Sequence, residues 1–166
     1  MKKQFAALLA TTLISGVAFA APAPGTIGVG IAHTESTLGS DDTIFLPYTL
    51  NDGLWVEPFI SYSNEDNGTT ENTNLTIGAG LFKDFHSTAK TRAYFGGRLG
   101  YIYADQDPGS DDNGLLVQPV LGFGYEPVNN LILGAEAFVS YEDNDDTNTE
   151  NYGTGTSLFV RYFFNQ

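Results

Sequence analysis

Cysteine is absent from all 166 residues, so no disulfide framework, thiolate metal site or cysteine nucleophile can be built. Basic residues are scarce, seven Lys and Arg against 20 Asp and Glu. Two of the seven, Lys2 and Lys3, sit in an N-terminal targeting segment; the remaining five against 20 acids leave a formal charge of −15 with histidines neutral. Such a surface repels a phosphate backbone, which excludes nucleic acid as a partner. Beyond residue 20 no segment keeps a helical apolar period over three turns. An acidic chain with few aromatics would read as disordered, but 12 Phe, 9 Tyr and a Trp exclude that here.

The targeting segment is residues 1–20. Lys2 and Lys3 give the positive start, Phe5 to Phe19 is mostly apolar, and Ala18-Phe19-Ala20 fits a signal-peptidase site before Ala21. The apolar part is too short to favour a membrane span. Residues 21–166 then form one exported domain, preceded by the short lead Ala21-Pro-Ala-Pro-Gly25.

Alternation with a period of two runs through that domain and predicts eight strands: Thr26–Thr34, Thr43–Leu50, Leu54–Ser63, Thr73–Phe82, Arg92–Ala104, Leu115–Tyr125, Leu131–Tyr141 and Tyr152–Phe164. Most are about 9–11 residues long, the length with which a tilted strand crosses a bilayer. The connections alternate between long polar loops (Glu35–Asp42, Glu65–Asn72, Asp105–Gly114, Glu142–Asn151) and mostly shorter turns (Asn51–Gly53, Lys83–Thr91, Glu126–Asn130). The four long loops hold 15 of the 20 acids and no Lys or Arg. Strands running up and down would bring all four to one end, with the short turns at the other, as in bacterial outer-membrane barrels.

Keeping charge off the lipid sets the faces, since an outward Lys or Arg at the midplane costs about 2–4 kcal/mol. Leu54, Val56, Pro58, Ile60 and Tyr62 then point out and Trp55, Glu57, Phe59 and Ser61 point in. This phasing turns most strand glycines inward, with Gly97 the exception, and eight strands leave a lumen that side chains fill. Tyr62, Tyr103, Tyr141 and Tyr152 stand where an interfacial aromatic girdle is expected.

Apart from Arg92 at a strand entrance, only Glu57, Arg98, Glu136 and Arg161 are ionised within these strands; all face inward and their charges cancel. Desolvation in a narrow lumen favours pairing, so a salt-bridge cluster with Gln118 is expected, Glu136 and Arg161 being candidate cross-strand partners. A plug is the expected role, and an ion path or gate the alternative.

These features, with the final Tyr162-Phe163-Phe164, resemble the small outer-membrane β-barrel proteins of Gram-negative bacteria, such as the barrel domain of outer-membrane protein A and the single-domain proteins X and W. The resemblance implies an all-β, eight-stranded antiparallel up-and-down transmembrane barrel in the outer membrane, reached through the periplasm after signal-peptide cleavage. It implies outer-membrane lipids and lipopolysaccharide as surroundings, and a monomer. It also implies that Tyr162 and Phe164 are read by the barrel-assembly machinery, although Asn165 and Gln166 follow where the family usually ends on Phe. No peptidoglycan-binding domain is expected after the barrel, so cell-wall anchoring is not carried over.

Lipid A deacylases and palmitoyltransferases on such barrels use a His–Ser pair. His86-Ser87 lacks the deacylase spacing and His33 has no motif around it, so neither is expected to be catalytic. Asp105-x-Asp107-x-Gly109-x-Asp111 and Glu142-Asp-Asn-Asp-Asp146 miss the spacing of a calcium loop, and no metal or cofactor is expected. The function expected is a structural or surface-interaction protein presenting mobile acidic loops. A narrow pore or conduit for small ions or apolar molecules is the alternative, and a lipid A-modifying enzyme a remote one.

Overall fold

A computed structural model describes residues 22–66, 71–107, 112–144 and 149–164. Among these, nine strands follow in chain order: β1 (Ile27–Ser36), β2 (Gly39–Phe45), β3 (Tyr48–Asn51), β4 (Leu54–Asp66), β5 (Glu71–Ser87), β6 (Thr91–Asp107), β7 (Asp112–Val128), β8 (Leu131–Asn144) and β9 (Thr149–Phe164). β2 and β3 are one staff, broken at Leu46-Pro47, where Pro47 has no N–H to give to a ladder. Backbone bonds bridge the break: Gly28 N–H donates to the Pro47 carbonyl and Leu46 N–H to that of Pro58. All pairing is antiparallel, and β1 closes on β9 from Ile27 opposite Phe164 to Ser36 opposite Gly155. The result is a closed, eight-staved up-and-down barrel.

The register is staggered. A row that starts at Gly30 passes Phe45, Phe59, Gly78, Gly100, Leu116 and Glu142 in turn, climbing from the middle of β1 to the upper rim. Stagger of this kind gives barrel staves their tilt of about 35–45°. The lower end carries the turns Asp52-Gly53, Thr88–Lys90 and Asn129-Asn130; Gly53 and Asn130 take the positive φ these tight turns need.

The upper end differs from expectation. The first long acidic loop, Glu35–Asp42, is a tight hairpin in which Ser36 pairs with Gly39 across Thr37-Leu38. Thr37 exchanges two hydrogen bonds with the Thr154 backbone and Leu38 lies against Gly153, so the tip folds onto β9. In the other three expected loops every described residue is strand. Asp66 pairs with Glu71, Ala104 with Asp112 and Asn144 with Thr149, leaving residues 67–70, 108–111 and 145–148 outside the described residues. β5, β6 and β7 reach 17 residues each. An antiparallel ladder needs only backbone partners, so it continues through Asn, Asp and Thr after the apolar alternation has stopped. The targeting segment, residues 1–20, also lies outside the described residues, as do Asn165 and Gln166.

Expected faces and observed burial agree strand by strand. Ile27, Val29 and Ile31 are exposed while Gly28, Gly30 and Ala32 are buried, and the same alternation runs through β4, β8 and β9. Below mid-height the lumen is packed with Phe45, Trp55, Phe82, Tyr94, Phe159 and Phe163, each no more than 3% exposed. Trp55 stacks on Phe82 at 5.4 Å and meets Tyr94 edge-on at 4.9 Å. Room for these rings comes from facing glycines: a Cβ on Gly30 would collide with the Phe45 ring, and one on Gly122 with that of Tyr94.

Candidate functional site

Five staves bring the expected lumen residues together. Glu57 on β4 lies opposite Gly80 on β5, Gly80 opposite Arg98 on β6, and Arg98 opposite Gln118 on β7. The small Gly80 between them lets the Arg98 guanidinium reach back across β5 to Glu57, Nη2 to Oε1 at 3.1 Å. Glu136 on β8 and Arg161 on β9 enter from the other side of the lumen.

Arg161 is the hub. Its Nε donates to Glu57 Oε2 at 2.8 Å and its Nη2 to Glu57 Oε1 at 3.0 Å, a bidentate grip; the same Nη2 reaches Glu136 Oε1 at 2.9 Å. Arg98 Nη2 completes the ring to Glu136 Oε2 at 2.7 Å, and its Nη1 donates to Gln118 Oε1 at 3.2 Å. All four charged side chains are almost wholly buried. Such burial is tolerable because each charge meets two of opposite sign and the sum is zero. Aromatic faces supply the rest of the solvation: the Arg161 guanidinium carbon lies 3.9 Å from the Phe159 ring centre and 4.8 Å from that of Phe45.

Tyr94 is a sixth member, outside the cluster expected from the sequence. Its hydroxyl donates to Glu136 Oε1 at 2.6 Å and accepts from Arg161 Nη1 at 2.8 Å. The signal available was its inward parity, shared with Arg98 four residues on.

Arg92 stands at the entrance of β6, where the sequence placed it, and there it has a buried partner. Its guanidinium is buried near the lower end, 3.8 Å from Asp84 and 5.5 Å from the Trp55 ring centre. Asp84 shares the inward parity of Gly80 and Phe82, and the irregularity at Phe85 follows it. The predicted strand ends at Phe82 and leaves Asp84 out.

Above the network the lumen mixes polar groups with the apolar side chains of Phe59, Ile102, Leu116 and Phe138. A cavity of about 70 Å³ opens there, lined among others by Arg98, Gln118, Thr43, Ser61, Ser140 and Asp41. That volume holds several waters, where one needs about 10–15 Å³. Ser61 donates to Asp41 at 2.8 Å. Glu142 lines the mouth, one residue beyond Tyr141, and burial followed by the nearby Asp41 charge pushes its carboxyl above the usual range. Among the described residues no three His, Asp or Glu side chains are grouped to hold a metal ion. The Asp105–Asp111 and Glu142–Asp146 stretches fall partly outside the described residues.

Tyr62, Tyr103 and Tyr152 stand exposed on the outer wall near the upper end, and Tyr141 packs on its cross-strand partner Tyr152 at 5.2 Å. Tyr162 and Phe164 are exposed at the lower end, their rings 5.4 Å apart. His86 and Ser87 end β5 below. His33 points outward, bonded to Asp42 and Glu35.

No protein-family model and no curated protein sequence matches the chain. Solved structures do. Neisserial surface protein A is similar at 23% identity with a TM-score of 0.62, covering 84% of this chain and 95% of that one. The N-terminal β-barrel domain of Pseudomonas aeruginosa OprF gives 14% and 0.64, covering 85% and 98%. The outer membrane protein Ail of Yersinia pestis, in a phospholipid nanodisc, gives 16% and 0.51, covering 84% and 99%. At these identities the likeness is one of fold, and the shared fold is that of transmembrane antiparallel barrels.

Proposed function

We propose that the chain is an integral β-barrel of a Gram-negative outer membrane, without catalytic activity, acting as a structural and surface-interaction protein behind a closed lumen. The observation that carries this reading is the charge-neutral network of Glu57, Arg98, Glu136 and Arg161 set on a floor of aromatic rings. Both oxygens of Glu57 and of Glu136 are engaged by arginines and Tyr94, which leaves neither carboxylate free to act as a general base. The exposed apolar wall, with Ile31, Leu99, Leu121 and Leu158 all at least 57% exposed, requires lipid around it.

In this reading residues 1–20 direct export, Tyr162 and Phe164 present the final strand to the barrel-assembly machinery, and the monomer sits among lipopolysaccharide. Its acidic upper staves form part of the surface offered to the medium. Single-channel recording of the refolded chain in planar bilayers tests the closed lumen: silence is expected, and sustained conductance steps would overturn it.

One observation favours a second reading, a narrow gated pore: the cavity reaches down to Arg98 and Gln118. Replacing Arg98 with Ala separates the two. A weakened fold belongs to a plug, whereas a stable barrel with raised conductance belongs to a gate.

A further inference from the structure

The outward apolar run is not equally tall around the barrel. On β7 it covers Tyr125, Phe123, Leu121, Pro119, Val117 and Leu115, and on β8 it goes from Leu131 to Tyr141, ten positions in each case. At about 3.3 Å per residue and a tilt near 45°, ten positions span about 23 Å of height, close to the apolar band of an outer-membrane barrel. On β1 the outward residues are Ile27, Val29 and Ile31, and the next is His33. Ile27 is paired with Phe164 and Tyr48 at the lower girdle, so His33, six positions up, stands only about 14 Å above it.

Neighbouring staves share the shortfall. Asp42 is His33's ladder partner on β2 and also points outward, as does Glu35, which is paired with Thr156 of β9. His33 Nδ1 lies 2.7 Å from Asp42 and Nε2 lies 3.3 Å from Glu35; their side chains are 58%, 81% and 72% exposed. Facing hydrocarbon, outward ionisable groups are destabilising in a depth-dependent way. A hydrophobic wall that is too short is accommodated by thinning the bilayer against it.

We infer that the β9–β1–β2 face is an interaction surface for the headgroup-and-water layer of the upper leaflet, which dips along this face to the level of His33, Glu35 and Asp42. The inference rests on the membrane reading above. The occupant is the lipid surface and not a second protein, because the three side chains already bond to one another and need only a polar medium.

The absence of cysteine makes a site-directed spin-label test direct. Thr156→Cys on β9 lies eight positions above Phe164, and Val117→Cys on β7 lies eight positions above Tyr125, both outward. Each labelled protein is reconstituted in phosphatidylcholine vesicles, and its accessibility to oxygen and to an aqueous nickel chelate is measured. The label at 156 should be several-fold more accessible to nickel than the label at 117, and His33→Leu with Glu35→Leu and Asp42→Leu should remove the difference. Equal, oxygen-favoured exposure at both sites in the unaltered background would overturn the inference while leaving the membrane reading in place. Nickel access at 117 as high as at 156, without oxygen preference, would instead overturn the membrane reading and the inference with it.

Discussion

Arg161 grips Glu57 by two hydrogen bonds, Nε to Oε2 at 2.8 Å and Nη2 to Oε1 at 3.0 Å, across 104 residues of sequence. No ladder joins β9 to β4, so this contact crosses the lumen and ties opposite walls of the barrel.

Arg161→Ala should therefore do more than remove one contact. Glu57 and Glu136 would share Arg98 alone, leaving a buried negative excess, and losing one partner of such a pair costs about 3–5 kcal/mol. Urea unfolding followed by Trp55 fluorescence would measure it. Adding Glu57→Gln to Arg161→Ala should recover part of the loss, because it removes the orphaned charge. A double variant as unstable as the sum of the singles would mean that the two residues do not act as a pair.

Tyr94→Phe keeps the ring against Trp55 and Phe82 and deletes only the hydroxyl between Arg161 and Glu136. Leaving charged partners short of a hydrogen bond costs about 1–3 kcal/mol. A change below about 0.5 kcal/mol, the usual range for surface substitutions, would show the hydroxyl to be incidental.

Glycines of opposite parity should respond oppositely to a methyl group. A Cβ on Gly122 would collide with the Tyr94 ring, so Gly122→Ala should cost about 1–3 kcal/mol by overpacking. A Cβ on outward Gly97 finds nothing nearer than 3.4 Å, so Gly97→Ala should leave the unfolding midpoint unchanged or raise it. Equal losses at the two sites would contradict the assignment of inner and outer faces.

Parity made much of this legible in advance. A period of two assigns each residue a side, which placed Glu57, Arg98, Gln118, Glu136 and Arg161 in the lumen. Parity does not say which inward groups touch across it: the bidentate Arg161–Glu57 contact depends on barrel curvature and stagger, and Tyr94 has the same parity signature as the fillers Phe82 and Phe159. Strand ends were the weaker part. They were drawn where apolar alternation stops, which cut Asp84 from β5 and turned laddered acidic segments into loops. The first hairpin is not legible locally, because its tip is held by Thr37 and Leu38 against β9, more than 100 residues away in the chain.

Glu142 gives a pH test of the upper vestibule. Burial, with Asp41 nearby, raises its carboxyl pKa in the folded barrel above its unfolded value. The stability linked to this group is therefore fully present below the unfolded value and is lost as pH rises through the folded one. At neutral pH the fold carries a poorly solvated charge that the unfolded chain does not. Glu142→Gln removes that charge while keeping the shape, so it should stabilise the barrel at pH 7. The advantage should shrink as pH falls from the folded pKa towards the ordinary carboxylate range, where the native residue becomes neutral too. Urea midpoints of both proteins across that interval decide it: a gain that is constant with pH would assign the effect to something other than this carboxylate's charge.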